Sequence, residues 1–543
     1  MNDALTNVPP PDNEPVLGYA PGSPERAKLK AEIERQLKGG FEVPLVIGGK
    51  ELRTGRIAEM IRPDARGTKL GVFHMAGAAE AAAAVEAALA ARKDWARMPW
   101  EERAAIFRRM GELAAGKYRP LLCAATMLNQ GKTAQQAEID AADETIDYYR
   151  INPNFMERIY GIQPESLRSE WNRSEYRPLE GFVYAVSPFN FTAIAANLAS
   201  APAMMGNVVV WKPSSTSVLS NYFLMKLYEE AGLPPGVINF VPGSGSAISD
   251  AVLERPELAG FHFTGSTAVF RGLWKGIAAN LEKYRTYPRI VGETGGKNFI
   301  LVDPSADPDA AIAAAVRGAY EYQGQKCSAA SRLYVPASWG QAFLDRLAAA
   351  VKSLPMGPVT DFRNFLGAVI DEASFDNIAP YLERAASSPR AKILAGGKCD
   401  KSKGFFIEPT LILADDPHYE TMETELFGPV LTACVYDDRD MEAAYALVDS
   451  TSPYGLTGSI MARDRGAIVR ASEALVDAAG NFYVNDKPTG AVVGRQPFGG
   501  ARASGTNDKA GSLLNLLRWT SPRSLKENLD PPTDWRYPYM QEE

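Results

Sequence analysis

Phe182-Val183-Tyr184-Ala185-Val186 is the first of four short apolar runs, and Val208-Val209-Val210-Trp211, Ile238-Asn239-Phe240-Val241 and Phe261-His262-Phe263 follow it. Helical stretches separate them, among them the amphipathic segment from Thr216 to Ala231. Apolar strands that alternate with such helices are the signature of a parallel sheet wound with crossover helices. A second series starts after Gly296 with Phe299-Ile300-Leu301-Val302, a helix around Asp309 to Tyr322, Leu333-Tyr334-Val335, and later strands at Val430 to Val435 and Asn481 to Val484. The chain therefore reads as α/β, with two wound parallel-sheet domains that meet near residue 293.

Ala78 to Arg150 reads as a run of helices: Ala, Leu, Glu, Lys and Arg dominate, apolar residues recur at three and four, and proline appears only at Pro99 and Pro120. The polar stretch Ser169-Glu170-Trp171-Asn172-Arg173-Ser174-Glu175-Tyr176 has isolated aromatics and no helical period, which suits half of an edge hairpin. The tail from Thr520 carries Pro522, Pro531 and Pro532 and runs through Trp535, Tyr537 and Tyr539. Such a terminus is too apolar for a disordered tail and too short for a core, so it is expected to pack on a partner subunit. These readings assign residues 1–165 and 187–292 to a nucleotide-binding domain with an N-terminal helical region, and residues 293–503 to a catalytic domain. Residues 166–186 and 504–543 are left as a small β oligomerisation element.

At about 150 residues per domain, the length predicts roughly three to four structural units, and an apolar share of 46% fills real cores. With 58 basic against 65 acidic residues and no long basic block, nothing points to nucleic acid or an anionic membrane, so a small molecule is the default partner. No stretch approaches the roughly 20 apolar residues that span a bilayer. Cys123, Cys327, Cys399 and Cys434 lie far apart, which argues against a disulfide framework and a structural zinc and fits a reducing compartment. The start Met1-Asn2-Asp3-Ala4 is acidic and the first arginine is Arg26, unlike a secretory signal or a mitochondrial presequence, so a cytoplasmic location is expected. His74, His262 and His418 form no metal-ligand pair, and no G-x-S-x-G occurs, so neither a metal site nor a Ser-His-Asp hydrolase is expected.

Cys327 sits in Gly324-Gln325-Lys326-Cys327-Ser328-Ala329, between a predicted helix and a strand that begins near Arg332. A loop at an element end exposes a nucleophile, and adjacent Lys326 is positioned in sequence to lower its pKa. Glu293-Thr294-Gly295-Gly296-Lys297-Asn298 places a carboxylate before paired glycines, where backbone must approach something closely. Such a carboxylate suits a general base for thioester hydrolysis. Ser187-Pro188-Phe189-Asn190-Phe191 follows a strand and offers Asn190 as a neutral oxyanion donor, a contribution of about 3 kcal/mol. The bland readings are a structural cysteine, a surface Glu near a turn and a capping Asn.

Taken together and in this order, these segments resemble the aldehyde dehydrogenase superfamily, in which the catalytic Cys follows the Glu of an E-x-G-G-K block by thirty-four residues, as here. That resemblance implies Cys327 as nucleophile, Glu293 as the base for hydrolytic water, and Asn190 with the backbone N–H of Cys327 as the oxyanion hole. It also implies NAD as cofactor. Lys212, in Trp211-Lys212-Pro213-Ser214, is assigned to ribose hydroxyls, Gly265 and Ser266 to the pyrophosphate at a helix start, and Glu425 to the nicotinamide ribose, with Phe189 and Phe427 also cofactor-facing. Ser215 stands where the family often has an acid, so NADP is expected as a weaker substitute. Phe270 replaces a common glycine, and no full G-x-G-x-x-G exists.

Within the superfamily the resemblance extends over nearly the whole chain to the 1-pyrroline-5-carboxylate dehydrogenase branch. It is carried by Asn13-Glu14-Pro15-Val16-Leu17, Asn129-Gln130-Gly131-Lys132-Thr133, Ala137-Glu138-Ile139-Asp140, Arg177 to Phe182, and Pro497-Phe498-Gly499-Gly500-Ala501-Arg502-Ala503-Ser504-Gly505-Thr506-Asn507. The branch implies oxidation of L-glutamate γ-semialdehyde to L-glutamate, the second step of proline catabolism. It assigns the substrate carboxylate to Ser328 and the backbone N–H groups of Gly490 and Ala491, the aliphatic chain to Phe191 and Phe498, and the amino-acid end to Glu144. A homo-oligomer with a dimer as its unit, and a separate proline dehydrogenase as supplier and partner, are further expectations. Competing readings are an aldehyde dehydrogenase for another small acid semialdehyde, a thiol-dependent esterase, and a crystallin-like protein without turnover.

Overall fold

The computed structural model describes residues 7–542; Met1-Asn2-Asp3-Ala4, on which the targeting expectation rests, lies outside the described residues. Strands Arg289–Glu293, Leu258–Thr264, Phe182–Val186, Val208–Lys212 and Ile238–Phe240 lie side by side in that order, all parallel. Because the first strand in sequence is central, the winding reverses between Phe182–Val186 and Leu258–Thr264, and a crevice opens beyond their carboxyl ends. Leu45–Ile47 and Lys50–Leu52 extend the far edge antiparallel, a contribution from the N-terminal region that the sequence reading did not contain. Residues 182–186, expected in the oligomerisation element, are instead the middle of this sheet, because all five are apolar and both faces are covered.

The second sheet orders Ala391–Ala395, Thr410–Ala414, Val430–Tyr436, Ala330–Pro336, Asn298–Val302, Thr457–Met461 and Asn481–Val484, parallel except for the first. Only Thr294-Gly295-Gly296-Lys297 separates the last strand of one sheet from the first strand of the other in sequence.

The predicted helical run is present as Ala78–Arg97, Trp100–Ala115, Arg119–Gln130 and Thr145–Tyr160. Glu80 accepts the Gly77 backbone N–H at 2.7 Å and so satisfies one orphan donor at the first start. Pro120 lies in the first turn of its helix, where a missing N–H costs nothing, and Gly131 at φ +74° stops that helix. Glu138–Glu144 is a π-helical turn, a wide turn that tends to occur at functional sites.

Glu170–Pro178 does form a strand, but its partner is Thr520–Asn528, paired antiparallel over nine positions, so it belongs to a long-range ribbon and not to a hairpin. Before that ribbon, Leu516 and Trp519 are buried in the core of the first sheet, which corrects the expected boundary at residue 504. The Trp519 ring lies 4.6 Å from that of His262, and its carbonyl accepts Asn207 Nδ2 at 2.9 Å. Trp535, Tyr537 and Tyr539 are exposed.

Candidate active site

Phe182–Val186 runs into Ser187-Pro188-Phe189-Asn190-Phe191, and helix Thr192–Met204 follows at once. Phe191, the capping residue, has no side-chain acceptor for the first N–H groups. The buried carboxylate of Asp140 in the π-helical turn supplies it, accepting Thr192 N at 3.0 Å and Ala193 N at 2.8 Å. The same carboxylate pairs with Lys132 Nζ at 2.8 Å, and both side chains are fully buried. Lys132 Nζ stands 3.7 Å from the ring centroid of Phe191 and 4.6 Å from that of Tyr322, so it bridges the two loops of the site by cation–π attraction. Asn190 is buried and donates one Nδ2 hydrogen to the Gln325 carbonyl at 3.0 Å, which leaves its second hydrogen for another acceptor.

The loop that carries Cys327 is strained and heavily tied. Tyr322 and Gln323 have φ of +53° and +55°. Tyr322 donates its hydroxyl to the Gln130 carbonyl at 2.9 Å, and Gln323 Nε2 donates to the Gly131 and Ala368 carbonyls at 2.9 and 2.7 Å. Surroundings that over-determine a backbone in this way are what keep such conformations populated. Asn298 Nδ2 donates to the carbonyls of Cys327 at 2.7 Å and Ala329 at 2.9 Å, fixing the loop from the strand beneath it.

Cys327 Sγ lies 2.8 Å from Glu293 Oε1, with the thiol donating. Burial pushes the thiol well up, and the charge of Glu293 adds to that; desolvation likewise pushes the Glu293 carboxyl up to about 7, opposed by the thiol's hydrogen bond. Lys326 does not lower the thiol's pKa as expected from sequence, because its ammonium turns to Glu321 at 3.0 Å. The paired glycines have a plain steric cause: a Cβ on Gly295 would lie 2.4 Å from Glu425 Oε2, and one on Gly296 2.3 Å from the Cys327 carbonyl oxygen. Gly296 N donates to Glu425 Oε1 at 2.7 Å, and burial pushes that carboxyl up to about 7.

A cavity of about 790 Å3 has Cys327, Glu293 and Ser328 in its wall, with Phe191, Phe498 and Glu144. Gly490 and Ala491 line it too, and Gly490 takes φ +95°. Ser328 Oγ shares a 2.7 Å hydrogen bond with Thr489 Oγ1. Burial first, then the charge of Asp140, pushes Glu144 up to about 8.

The residues assigned to the cofactor are not part of that cavity's wall; several gather instead at the crevice of the first sheet. Lys212 ends its strand with a desolvated ammonium, pushed down to about 8, and pairs with no carboxylate among the described residues. Ser215 opens the 3-10 turn Ser215–Ser217. Ser266 Oγ caps helix Thr267–Ala279 by accepting Val269 N at 3.4 Å. The Gly265 N–H is spent on the Glu293 carbonyl at 3.2 Å, so the amides left for an anion belong to the helix start beyond it. Phe189 and Phe427 meet edge to face at 5.8 Å, with Phe427 at φ +56°. A half-buried cation with no carboxylate partner among the described residues and a capped helix start at the switch of strand order fit a dinucleotide. Sequence reasoning gave no role to Lys132, Asp140, Asn298 or Thr489; only the buried contacts identify them. Among the described residues no cluster of three or more His, Cys, Asp or Glu is placed to hold a metal ion, and no helix is long and apolar enough to cross a membrane.

Cys327 faces Glu293 where the two wound sheets join, and the chain belongs to the aldehyde dehydrogenase family, whose model matches residues 52–524. Within it, the chain is 52% identical over 540 residues to the mitochondrial delta-1-pyrroline-5-carboxylate dehydrogenase of Dictyostelium discoideum, covering 99% of this chain and 97% of that one. Among solved structures, the Mycobacterium tuberculosis delta-pyrroline-5-carboxylate dehydrogenase bound with NAD superposes with a TM-score of 0.96 at 51% identity, covering 100% of both chains. Proline utilization A from Bdellovibrio bacteriovorus matches at a TM-score of 0.91 and 32% identity, over 96% of this chain and 54% of that one.

Proposed function

We propose that this chain oxidises L-glutamate γ-semialdehyde, formed from 1-pyrroline-5-carboxylate, to L-glutamate with NAD, the second step of proline catabolism. The observation that carries the reading is the 2.8 Å contact between Cys327 Sγ and Glu293 Oε1 in a cavity that also holds Ser328, Gly490 and Ala491. The Cys327 thiol loses its proton to solvent through the cavity, and the thiolate adds to the aldehyde carbon. The free Asn190 N–H and the backbone N–H of Cys327 receive the alkoxide, a stabilisation of about 3 kcal/mol per donor. NAD, when bound, supplies the hydride acceptor. Lys212 and Ser215 hold its adenosine end, Gly265, Ser266 and the helix start beyond them the region of its phosphates, and Phe189, Glu425 and Phe427 its nicotinamide end. Glu293 then takes a proton from the water that attacks the Cys327 thioester, and its raised pKa suits a base at neutral pH. Ser328 and the N–H groups of Gly490 and Ala491 bind the substrate carboxylate, Phe191 and Phe498 flank its methylenes, and Glu144 faces its amino-acid end.

Residues 182–292 with the N-terminal helical layer serve the cofactor, residues 293–503 carry the thiol, and the ribbon of Glu170–Pro178 with Thr520–Asn528 and the exposed aromatic tail serve a homodimer. NADP is a weaker substitute, since no acid stands at Ser215. Four free cysteines support a cytoplasmic placement; the mitochondrial name of the Dictyostelium relative is the competing one, and cell fractionation decides. The match to about half of a proline utilization A chain supports association with a proline dehydrogenase. The deciding experiment is a steady-state assay with pyrroline-5-carboxylate, succinate semialdehyde, NAD and NADP. Turnover of pyrroline-5-carboxylate only with a nicotinamide cofactor is expected, whereas preference for succinate semialdehyde, or ester hydrolysis alone, overturns the reading.

A further inference from the structure

Residues 8–23 form no helix or strand, yet the segment is tied along the helical layer. Three acidic side chains, Glu157, Asp147 and Glu138, accept the backbone N–H groups of Val8 at 3.0 Å, Glu14 at 2.8 Å and Leu17 at 2.9 Å. The Glu14 carboxylate pairs with Arg119 and Arg150, and the Tyr19 hydroxyl donates to Glu138. Held this way, the segment is a strap that supplies wall to the substrate cavity: Val16, Gly18, Tyr19 and Ala20 line it together with Glu144 and the loop Gly490–Val493.

Asn13 joins the strap to that loop. Its amide donates to the Val493 carbonyl at 2.9 Å and to Asp147 Oδ2 at 2.7 Å, while its oxygen accepts Arg495 Nε at 2.7 Å. Only an amide side chain of this length donates two hydrogens and accepts at once. The gripped loop has glycines at φ +95° (Gly490) and +79° (Gly494), positions at which the backbone has wide freedom unless something outside it restricts it. We propose that Asn13 is a positioning residue: through it the strap holds the Gly490 and Ala491 N–H groups in the direction a carboxylate needs, which makes the strap a determinant of specificity for acid-bearing aldehydes.

This inference rests on the anchor role of Ser328, Gly490 and Ala491 given above, so the test carries both. The full-length enzyme, Asn13→Ala, Arg495→Met and Ser328→Ala are assayed with glutamate semialdehyde and with pentanal, an uncharged aldehyde of the same carbon count. Loss of a fixed hydrogen bond is worth about tenfold in binding. Asn13→Ala should therefore raise KM for glutamate semialdehyde about tenfold with kcat and the pentanal KM unchanged, and Arg495→Met should move the same parameter by a smaller factor. If Ser328→Ala separates the two aldehydes but neither strap variant does, the strap inference falls and the anchor stands. If Ser328→Ala does not separate them, the anchor and the strap inference fall together. Should Asn13→Ala fail to fold, Arg495→Met, whose side chain is largely at the surface, decides alone.

Discussion

Replacing Glu293 by Gln keeps the side chain's length and an acceptor for the Cys327 thiol but removes the base. The proposed cycle contains two steps that this change treats differently. In the first, the thiol must ionise and add. Its pKa is raised by burial first and by the Glu293 charge second, so Gln relieves the second cause and the thiol ionises more readily. In the second step water must lose a proton as it attacks the thioester, and nothing replaces the carboxylate. General-base catalysis contributes about 100- to 10,000-fold, or roughly 3–5 kcal/mol of barrier, so steady-state turnover should fall by that factor. The pH profile gives the sign independently. With its folded pKa lifted to about 7, Glu293 is a working base only when ionised, so wild-type kcat should climb through neutral pH and level off above it, and the variant should lose that inflection. Rapid mixing with NAD and substrate, followed at the NADH absorbance, should show a burst stoichiometric with subunits and then a slow phase. A variant with no burst, or one with an undiminished steady-state rate, refutes the division of labour.

Cys327→Ala should abolish oxidation while leaving NAD affinity by fluorescence titration unchanged; any retained turnover removes the thiol from the mechanism. Lys132→Met leaves Asp140 buried with only its two backbone donors, and breaking a buried pair costs about 3–5 kcal/mol, so the urea midpoint should drop and KM for the semialdehyde rise as Phe191 loses its support. Adding Asp140→Asn should recover part of the stability, and a double variant less stable than the single contradicts the pairing. Ser215→Glu places an acid near Lys212, the residue proposed for the ribose, so the ratio of NADP to NAD activity should fall, and an unchanged ratio shows that this position does not read the 2'-position.

The two wound sheets were legible because their strands are continuous apolar runs, and the meeting of Cys327 with Glu293 was implied by the order and spacing of family-like segments, since either residue alone also reads as structural. What stayed illegible is long-range or buried-polar. Glu170–Pro178 reads as a strand, but its pairing with Thr520–Asn528 leaves no local trace across more than three hundred residues. Leu45–Ile47 and Lys50–Leu52 are three-residue edge strands, too short for a periodic pattern. Lys132 and Asp140 look like solvated helix charges in sequence; that they are buried under Phe191 depends on a π-helical turn that no residue pattern announces. Lys326 misled for the mirror reason: adjacency to Cys327 in the chain says nothing about direction, and its ammonium points at Glu321.

Trp519 imposes an order on biosynthesis. Its indole fills the core of a sheet whose last strand ends at Glu293, and its carbonyl satisfies Asn207 in that same layer. At translation rates of about 5–20 residues per second, the ribosome needs roughly 10–45 s to deliver Trp519 after that strand is complete. Until then the nascent sheet lacks the indole that lies 4.6 Å from the His262 ring, so this core closes only when the C-terminal segment arrives.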